Sequence, residues 1–311
     1  MPEMNQHIGE RRLLAFTSNR LSPQGFSPFL FIVPALLVYS AFFIYPLVKL
    51  LELSLYKWDG ILARKFVGLR HYGKLLGDDR FWEALSHNFS WMIAAIIVPV
   101  LFGLLLAILL SRSSMYGSII FRTIFFMPQV FSSVTVALIW QWIYNPSYGA
   151  INVFLTGIGL EHLTQGWLGD SDLVLPSLFI AWSWVHYGFT MIIFIAAIDA
   201  VDEVLFDAAK VDGANWWQQF RHVLLPSIRG ALTTIILVTA ISSFQVFDLV
   251  YVLTRGGPGD ASMVVPVYML ESAFTLRRVG YGATVAIAMG LVIVGFSVLF
   301  LALRGVYREA D

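Results

Sequence analysis

Six stretches of this chain carry no Asp, Glu, Lys or Arg over roughly 20 residues each. They run from Pro28 to Val48, Asn88 to Ser111, within Thr123 to Leu160, Leu173 to Ile198, Gly230 to Phe247 and Tyr281 to Leu303. The third is continuously apolar only as far as Ile143. A run of that length matches the roughly 30 Å of hydrocarbon that a helix must cross. In hydrocarbon a spanning segment must satisfy its own backbone groups, so helix is favoured over an open strand. The sequence therefore predicts an all-α integral membrane protein with six transmembrane helices. Pro34, Pro46, Pro99 and Pro128 are expected at kinks or helix ends, because proline removes an intrahelical donor.

Composition narrows the remaining classes. Charged residues are 13% of the 311, against about 25% in an average soluble domain. Lys plus Arg equals Asp plus Glu at 20 each. That balance lacks the excess basic charge of a general nucleic-acid binder, and no nucleic-acid partner is expected. Cysteine is absent, which excludes disulfides and thiolate metal sites. The first apolar run is too long for a signal-peptide core and follows a polar stretch, so it is expected to stay in the membrane.

Six spans place both termini on one side, and charge does not say which. One side would hold Arg11, Arg12, Arg20, Arg112, Arg122, Lys210, Arg221, Arg229, Arg304 and Arg308. The other would hold Lys49, Lys57, Arg64, Lys65, Arg70, Lys74, Arg80, Arg255, Arg277 and Arg278, an equal number. The loop from Tyr144 to Asp172 has no cation and reads as external, whereas the first loop argues the opposite. In that first loop Asp78 to Leu85 reads either as a short helix at the membrane interface, with Trp82 at headgroup depth, or as a plain surface helix.

The most informative segment lies between spans four and five, at about 199–229. It reads as a short helix, a break at Gly213, and a second amphipathic helix that Pro226 ends. Asp212 is placed to cap the second helix, and Phe220, Val223 and Leu224 share one apolar face. Small residues at Ala208, Ala209 and Ala214 leave room for a partner to approach.

This segment resembles the EAA loop of bacterial ABC importer permeases, E-A-A-x-x-D-G-A-x5-F-x-x-I-x-L-P. Ala208, Ala209, Asp212, Gly213, Ala214, Phe220, Leu225 and Pro226 match at the family's spacing. Asp207 stands for Glu and Val223 for Ile; the shorter Asp207 reaches less far toward a partner. Further likeness lies in Val67-Gly68-Leu69-Arg70-His71-Tyr72, in Met127-Pro128, in Asn145 to Asn152 and in Leu253-Thr254-Arg255-Gly256-Gly257-Pro258. These are similar to carbohydrate importers and to the first of their two permease subunits.

The resemblance implies the type I permease fold. It implies an N-terminal part at 1–87, a five-helix core at 88–303 carrying the coupling loop, and a tail at 304–311. It implies partners: a second permease subunit in a heterodimer, a cytoplasmic ATPase dimer and an external solute-binding protein. It implies a bacterial inner-membrane location with cytoplasmic termini. Asp207, Ala208, Ala209, Asp212, Gly213, Ala214, Phe220, Leu225 and Pro226 would then couple to the ATPase. The chain has no G-x-x-x-x-G-K-[ST] phosphate cradle, so ATP and Mg are expected on the partner and no cofactor on this chain.

Alignment back from the loop implies a substrate path. On span four it holds Trp182, Val185, His186 and Phe189; on span five, Thr239, Ser242, Ser243 and Val246. Aromatic rings suit sugar faces, and hydroxyl or imidazole groups can pair with sugar hydroxyls. The same residues also read as ordinary packing faces, small hydroxyl residues being common between membrane helices. Asp248 lies either inside span five, where an acid is functional by default, or at its end in water. Met127, Gln129 and Asn145 are weaker candidates. A sugar is the expected solute. A phosphorylated solute such as glycerol phosphate would want cations that these faces lack. A self-sufficient secondary carrier would have only Asp248 and His186 as ion sites.

Overall fold

The computed structural model describes residues 27–111 and 117–305. The polar segment 1–26, Arg112 and the last six residues, among them Arg308, lie outside the described residues. The chain divides into two compact units, Met1–Glu52 and Leu53–Asp311.

In the first unit, α1 (Ser27–Tyr39) passes through a π-turn (Ser40–Ile44) into α2 (Tyr45–Ser54). Pro34 and Pro46 sit inside these helices and end neither. The π-turn directly precedes Pro46, whose nitrogen has no hydrogen to donate. The apolar span covers Phe31–Ser54.

The second unit opens with a two-stranded antiparallel ribbon. In it β1 (Tyr56–Lys57) pairs with β2 (Lys65–Phe66), Tyr56 opposite Phe66 and Lys57 opposite Lys65. After α3 (Arg70–Leu76) comes α4 (Asp79–Leu110), 32 residues in one helix. At 1.5 Å per residue α4 is about 48 Å long, well beyond the hydrocarbon thickness. The stretch Asp79 to Leu85 is therefore the first two turns of span two, not a separate interfacial helix. Its buried face explains this: Phe81, Ala84 and Leu85 pack into the bundle, and Asp79, Trp82 and Glu83 are turned outward.

The third span is broken. Helix α5 (Ser118–Phe126) leads through a 3-10 turn (Met127–Val130) to α6 (Ser133–Ile143), and the two halves are bent by 100°. Pro128 stops the first half, and Ser132 starts the second by accepting the Thr135 N–H at 3.2 Å. Among the described residues five other helical stretches are long and apolar enough to cross a membrane, and the bent pair, counted as one span, brings the number to six. Beyond it lie α7 (Ala150–Gly157) and span four, α8 (Val174–Asp199). The connection to span five holds α9 (Glu203–Val211), α10 (Trp216–Gln219) and α11 (Leu225–Ser227).

Span five is longer than its uncharged run suggests and is also broken. It comprises α12 (Arg229–Phe244) and α13 (Asp248–Leu253), together Arg229–Leu253. At the break Asn88 of α4, fully buried, donates its amide to the Ser243 carbonyl at 3.1 Å. Its carbonyl accepts from the Val265 N–H at 2.9 Å, at the start of α14 (Val265–Leu270). One asparagine thus satisfies backbone groups near the end of one helix and at the start of another. A π-turn (Glu271–Thr275) and a short link then lead to span six, α15 (Val279–Leu303).

The end of α4 at Asp79 is tied to the link between spans five and six. Arg80 donates to Asp260 at 2.7 and 2.8 Å and to Glu271 at 3.1 Å. Asp78 accepts from the hydroxyls of Tyr268 and Tyr281. Partial burial alone would raise the Asp78 pKa. The two phenol donors and the Phe81 N–H together outweigh it and hold that pKa below its usual 3.8.

A depressed carboxylate pKa stabilises the fold above the unfolded value, and that stability is lost as pH falls through the folded value. Asp78→Asn is therefore expected to lower the thermal midpoint at pH 7 by an amount equivalent to about 1–3 kcal/mol. The difference between the two proteins should shrink below about pH 4. A pH-independent difference in thermal melts would contradict this account.

Candidate functional site

Two regions stand out: a loop at one end of the bundle and a cavity beside the two broken spans.

The loop begins at α9. Asp202 caps it by accepting the Val204 N–H at 2.9 Å, and Glu203 and Lys210 sit at the ends that suit the helix dipole. Gly213 then takes a left-handed φ of +77°, which lets the chain turn back. Its N–H donates to Lys210 O at 3.0 Å and that of Ala214 to Ala209 O at 2.8 Å. Asp212 is the closing residue of α9 and does not cap the next helix. Asn215 does that, through a reciprocal pair with Gln218 at 2.9 and 2.8 Å. Sequence reasoning passed over Asn215, although N-x-x-Q before an apolar face is a capping signal.

The second half is continuous from Trp216 to Ser227, with a π-turn at Phe220–Leu224. Pro226 does not end this segment; it lies inside the last turn. Its missing N–H leaves the preceding ladder one donor short, and the π-turn lies immediately before it. Leu224 is buried, while Phe220, Val223 and Leu225 are half-buried, so the expected apolar face does point into the bundle. It closes a cavity of about 160 Å³ with Ile108, Ile198 and Phe206, beneath the ends of α4 and α8.

The outer side of the loop is open. Asp207, Ala208, Asp212, Gly213 and Pro226 are exposed, and Ala209 and Ala214 are half-covered. Asp207 pairs with Lys210 at 2.9 Å on a solvated face, a contact of little energetic weight. Three large apolar residues share this surface: Val211 is 87% exposed, Trp216 63% and Trp217 58%. Phe220 stacks under both indoles at 5.6 and 5.3 Å. The two tryptophans were not among the expected coupling residues. Their clue was present, since apolar bulk in the polar connection of a membrane protein marks a contact surface.

The second region is a cavity of about 260 Å³. Trp182, Val185 and His186 of α8 form one wall; Ser242, Val246 and Asp248 form another. The break in span three supplies Gln129, Phe131 and Ser133, and the break in span five supplies Gln245 and Phe247. Trp182 and His186 stack at 4.2 Å with their planes 15° apart, and Trp91 braces Trp182 edge-on at 6.0 Å. Asp248 is exposed at the first residue of α13. It sits neither mid-helix nor in a terminal loop, but at an interruption that opens on the cavity.

The expected span-five face is split. Ser242 and Val246 open on the cavity. Thr239 and Ser243 are fully buried and line no part of it. Thr239 shares a 3.0 Å hydrogen bond with His186, and Ser243 donates to Thr239 O at 2.8 Å. Thr239 thus joins spans four and five, and Ser243 satisfies its hydroxyl within its own helix. Phe189 also stands outside the cavity, with its ring 5.8 Å from His186. Asn145 forms a turn with the Ser147 and Tyr148 N–H groups, away from the cavity, and Met127 is exposed at the span-three break. Gln129 alone of the weaker candidates lines it.

Among the described residues no group of three or more His, Asp or Glu is placed to hold a metal ion. The cavity's lining includes one carboxylate and no cation.

Comparison with known proteins agrees with this architecture. Residues 99–308 match the family model described as the binding-protein-dependent transport system inner membrane component. The probable ABC transporter permease protein YurN of Bacillus subtilis is 35% identical over 274 residues, covering 88% of this chain and 94% of that protein. The probable starch degradation products transport system permease protein AmyD of Thermoanaerobacterium thermosulfurigenes is 32% identical over 272 residues, covering 87% and 91%. A chain from the crystal structure of a bacterial ABC transporter that imports the acidic polysaccharide alginate shares the fold at a TM-score of 0.79. It is 20% identical and covers 93% of this chain and 97% of its own. The chain belongs to the binding-protein-dependent transport system inner membrane components, as a multi-pass permease subunit of an ABC importer.

Proposed function

We propose that this permease subunit forms part of the path for a neutral sugar or polyol. The observation that carries the reading is the composition of the cavity wall. A stacked Trp182–His186 pair offers a flat apolar face, and Ser133, Ser242, Gln129 and Gln245 offer hydroxyl and amide groups. That pairing of surfaces suits a ring with an apolar face and a rim of hydroxyls. A phosphorylated solute would want Arg or Lys, and the lining has neither. AmyD carries its substrate class in its name, and that name supports a carbohydrate here.

The rest of the assembly is read from the family to which the chain belongs. A second permease subunit would close the cavity, an external binding protein would deliver the solute, and a partner ATPase would hold ATP and Mg. The loop at 199–229 would dock in that ATPase from the cytoplasm, which puts both termini on the same side. Nucleotide binding would draw the loops of the two permeases together and turn the cavity outward. A ligand can drive such a change only through unequal affinity for the two states.

Trp182→Ala tests the cavity. It removes one stacking face and should raise the solute concentration for half-maximal ATPase stimulation of the assembled importer roughly tenfold, about 1.4 kcal/mol. Basal ATPase activity should be unchanged. An unaltered solute dependence would remove this wall from the path.

A further inference from the structure

The charges of the first loop, which split the positive-inside count evenly, have no role in the path or in the coupling loop. They are not scattered. Lys57 and Lys65 stand directly opposite each other in the β1–β2 ribbon. Like charges in that relation destabilise a strand pair, so the ribbon keeps them against its own stability. The turn before α15 joins the same surface: the Gly280 N–H donates to Trp58 O at 3.4 Å, bringing Arg277 and Arg278 to the ribbon's side. Arg70 and Lys74 follow on α3.

All six cations are exposed, and none has a carboxylate within 4.0 Å among the described residues. The neighbouring carboxylates are engaged elsewhere. Asp59 accepts the Ile61 and Leu62 N–H groups, Asp78 accepts the two phenols, and Asp260 and Glu271 hold Arg80. Among the described residues, no carboxylate forms an ion pair with this basic surface.

Depth identifies the counter-charge. Ser54 ends the first span and Lys57 follows three residues later; Arg277 and Arg278 immediately precede Val279, the first residue of α15. With the hydrocarbon edge set at these two span ends, the positions fall within about 10 Å of it, in the headgroup layer. Apolar side chains accompany them: Ile61 is 73% exposed, Leu62 70% and Phe66 63%. A basic surface with apolar tips at that depth is the pattern of an interfacial anchor, whereas an acidic protein arriving from water would have no use for the tips.

We propose that the β1–β2 ribbon and the turn before α15 form one foot that binds anionic phospholipid headgroups in the leaflet opposite the coupling loop. The phosphates would sit between Lys57 and Lys65 and against Arg277 and Arg278, relieving the cross-strand repulsion. Ile61, Leu62 and Phe66 would enter the acyl boundary.

The test uses the purified full chain, stripped of lipid in detergent and titrated with equal amounts of phosphatidylglycerol and phosphatidylethanolamine. Retained lipid is read by native mass spectrometry. Wild type should retain phosphatidylglycerol at least about fivefold more than phosphatidylethanolamine, as expected for one cation's worth of attraction near a charged surface. Combined Lys57→Gln, Lys65→Gln, Arg277→Gln and Arg278→Gln should bring the ratio close to one. Arg304→Gln, at the other end of α15, should leave it unchanged.

Lys65→Gln alone guards against misfolding. It should lower the ratio while the melting midpoint stays level or rises, because one like-charge pair is gone. An equal ratio in wild type and the fourfold variant would overturn the proposal. So would an equal loss in Arg304→Gln. If the fourfold variant keeps its lipid preference but no longer responds to the binding protein in the assembled importer, the surface belongs to that protein and the lipid assignment fails.

Discussion

Replacing Gly213 with leucine is expected to abolish solute uptake while leaving the chain folded and inserted. The argument rests on two features of the residue. Its φ of +77° is costly for a residue with a β-carbon, by about 1–2 kcal/mol. Yet no atom outside its own neighbours lies within 4 Å of where that carbon would be, so the chain itself has room. The cost falls on the turn that sets α9 against Trp216 to Ser227, and on whatever approaches the open side. A small loss of stability and a complete loss of transport is thus the expected signature. Gly213→Asn should retain much of the activity, because asparagine tolerates the left-handed region. Wild-type uptake by the leucine variant would remove the loop from the coupling role.

The second large effect is expected at Gly188, in the middle of span four. A β-carbon there would lie 2.5 Å from the Phe125 carbonyl oxygen and 3.1 Å from the Phe126 Cα, both backbone atoms of span three. Backbone cannot yield as a flexible side chain can, so α8 and the first half of the broken span must separate. Overpacking of this kind costs about 1–3 kcal/mol and at times more. The separation also moves the break that supplies Gln129, Phe131 and Ser133 to the cavity. Gly188→Leu should lower the thermal midpoint markedly and eliminate solute-stimulated ATPase activity, with Gly188→Ala intermediate in both. A leucine variant with wild-type melting would contradict the close approach of these helices.

The membrane class was legible because uncharged length is a direct physical measure of what a bilayer accepts. The positions of all six runs correspond to helices or, for the third, to a bent pair. Helix ends were less legible. Span two begins at Asp79 because Phe81, Ala84 and Leu85 continue a buried face through a charged stretch, and charge alone set that stretch apart as a separate short helix. Span five continues past Gln245 to Leu253 because Asn88, far away in sequence, satisfies the break. Such a partner leaves no local signal.

The site followed the same division. The loop at 199–229 was readable as a spaced motif, down to the turn at Gly213. Its capping residue was misread as Asp212 because both Asp212 and Asn215 carry a capping side chain, and only the backbone decides between them. In the cavity, helical spacing put Thr239 and Ser243 on one face with Ser242 and Val246. The hydrogen bond to His186 of span four turns Thr239 inward, and Ser243, bonded to Thr239 O one turn away, is buried with it. Periodicity gives the faces of a helix, but not which neighbour each face meets.

The coupling loop's role in contacting an ATPase is the central claim, and one cross-linking measurement tests it directly. The chain has no cysteine, so Val211→Cys introduces a single thiol at a position 87% exposed on the loop. Treated with a short thiol-reactive photo-crosslinker in membranes carrying the assembled importer, this variant should yield a covalent product containing the ATPase subunit. The yield should change when ATP is added. Efficient labelling of the thiol with no ATPase-containing product, with or without ATP, would contradict the account.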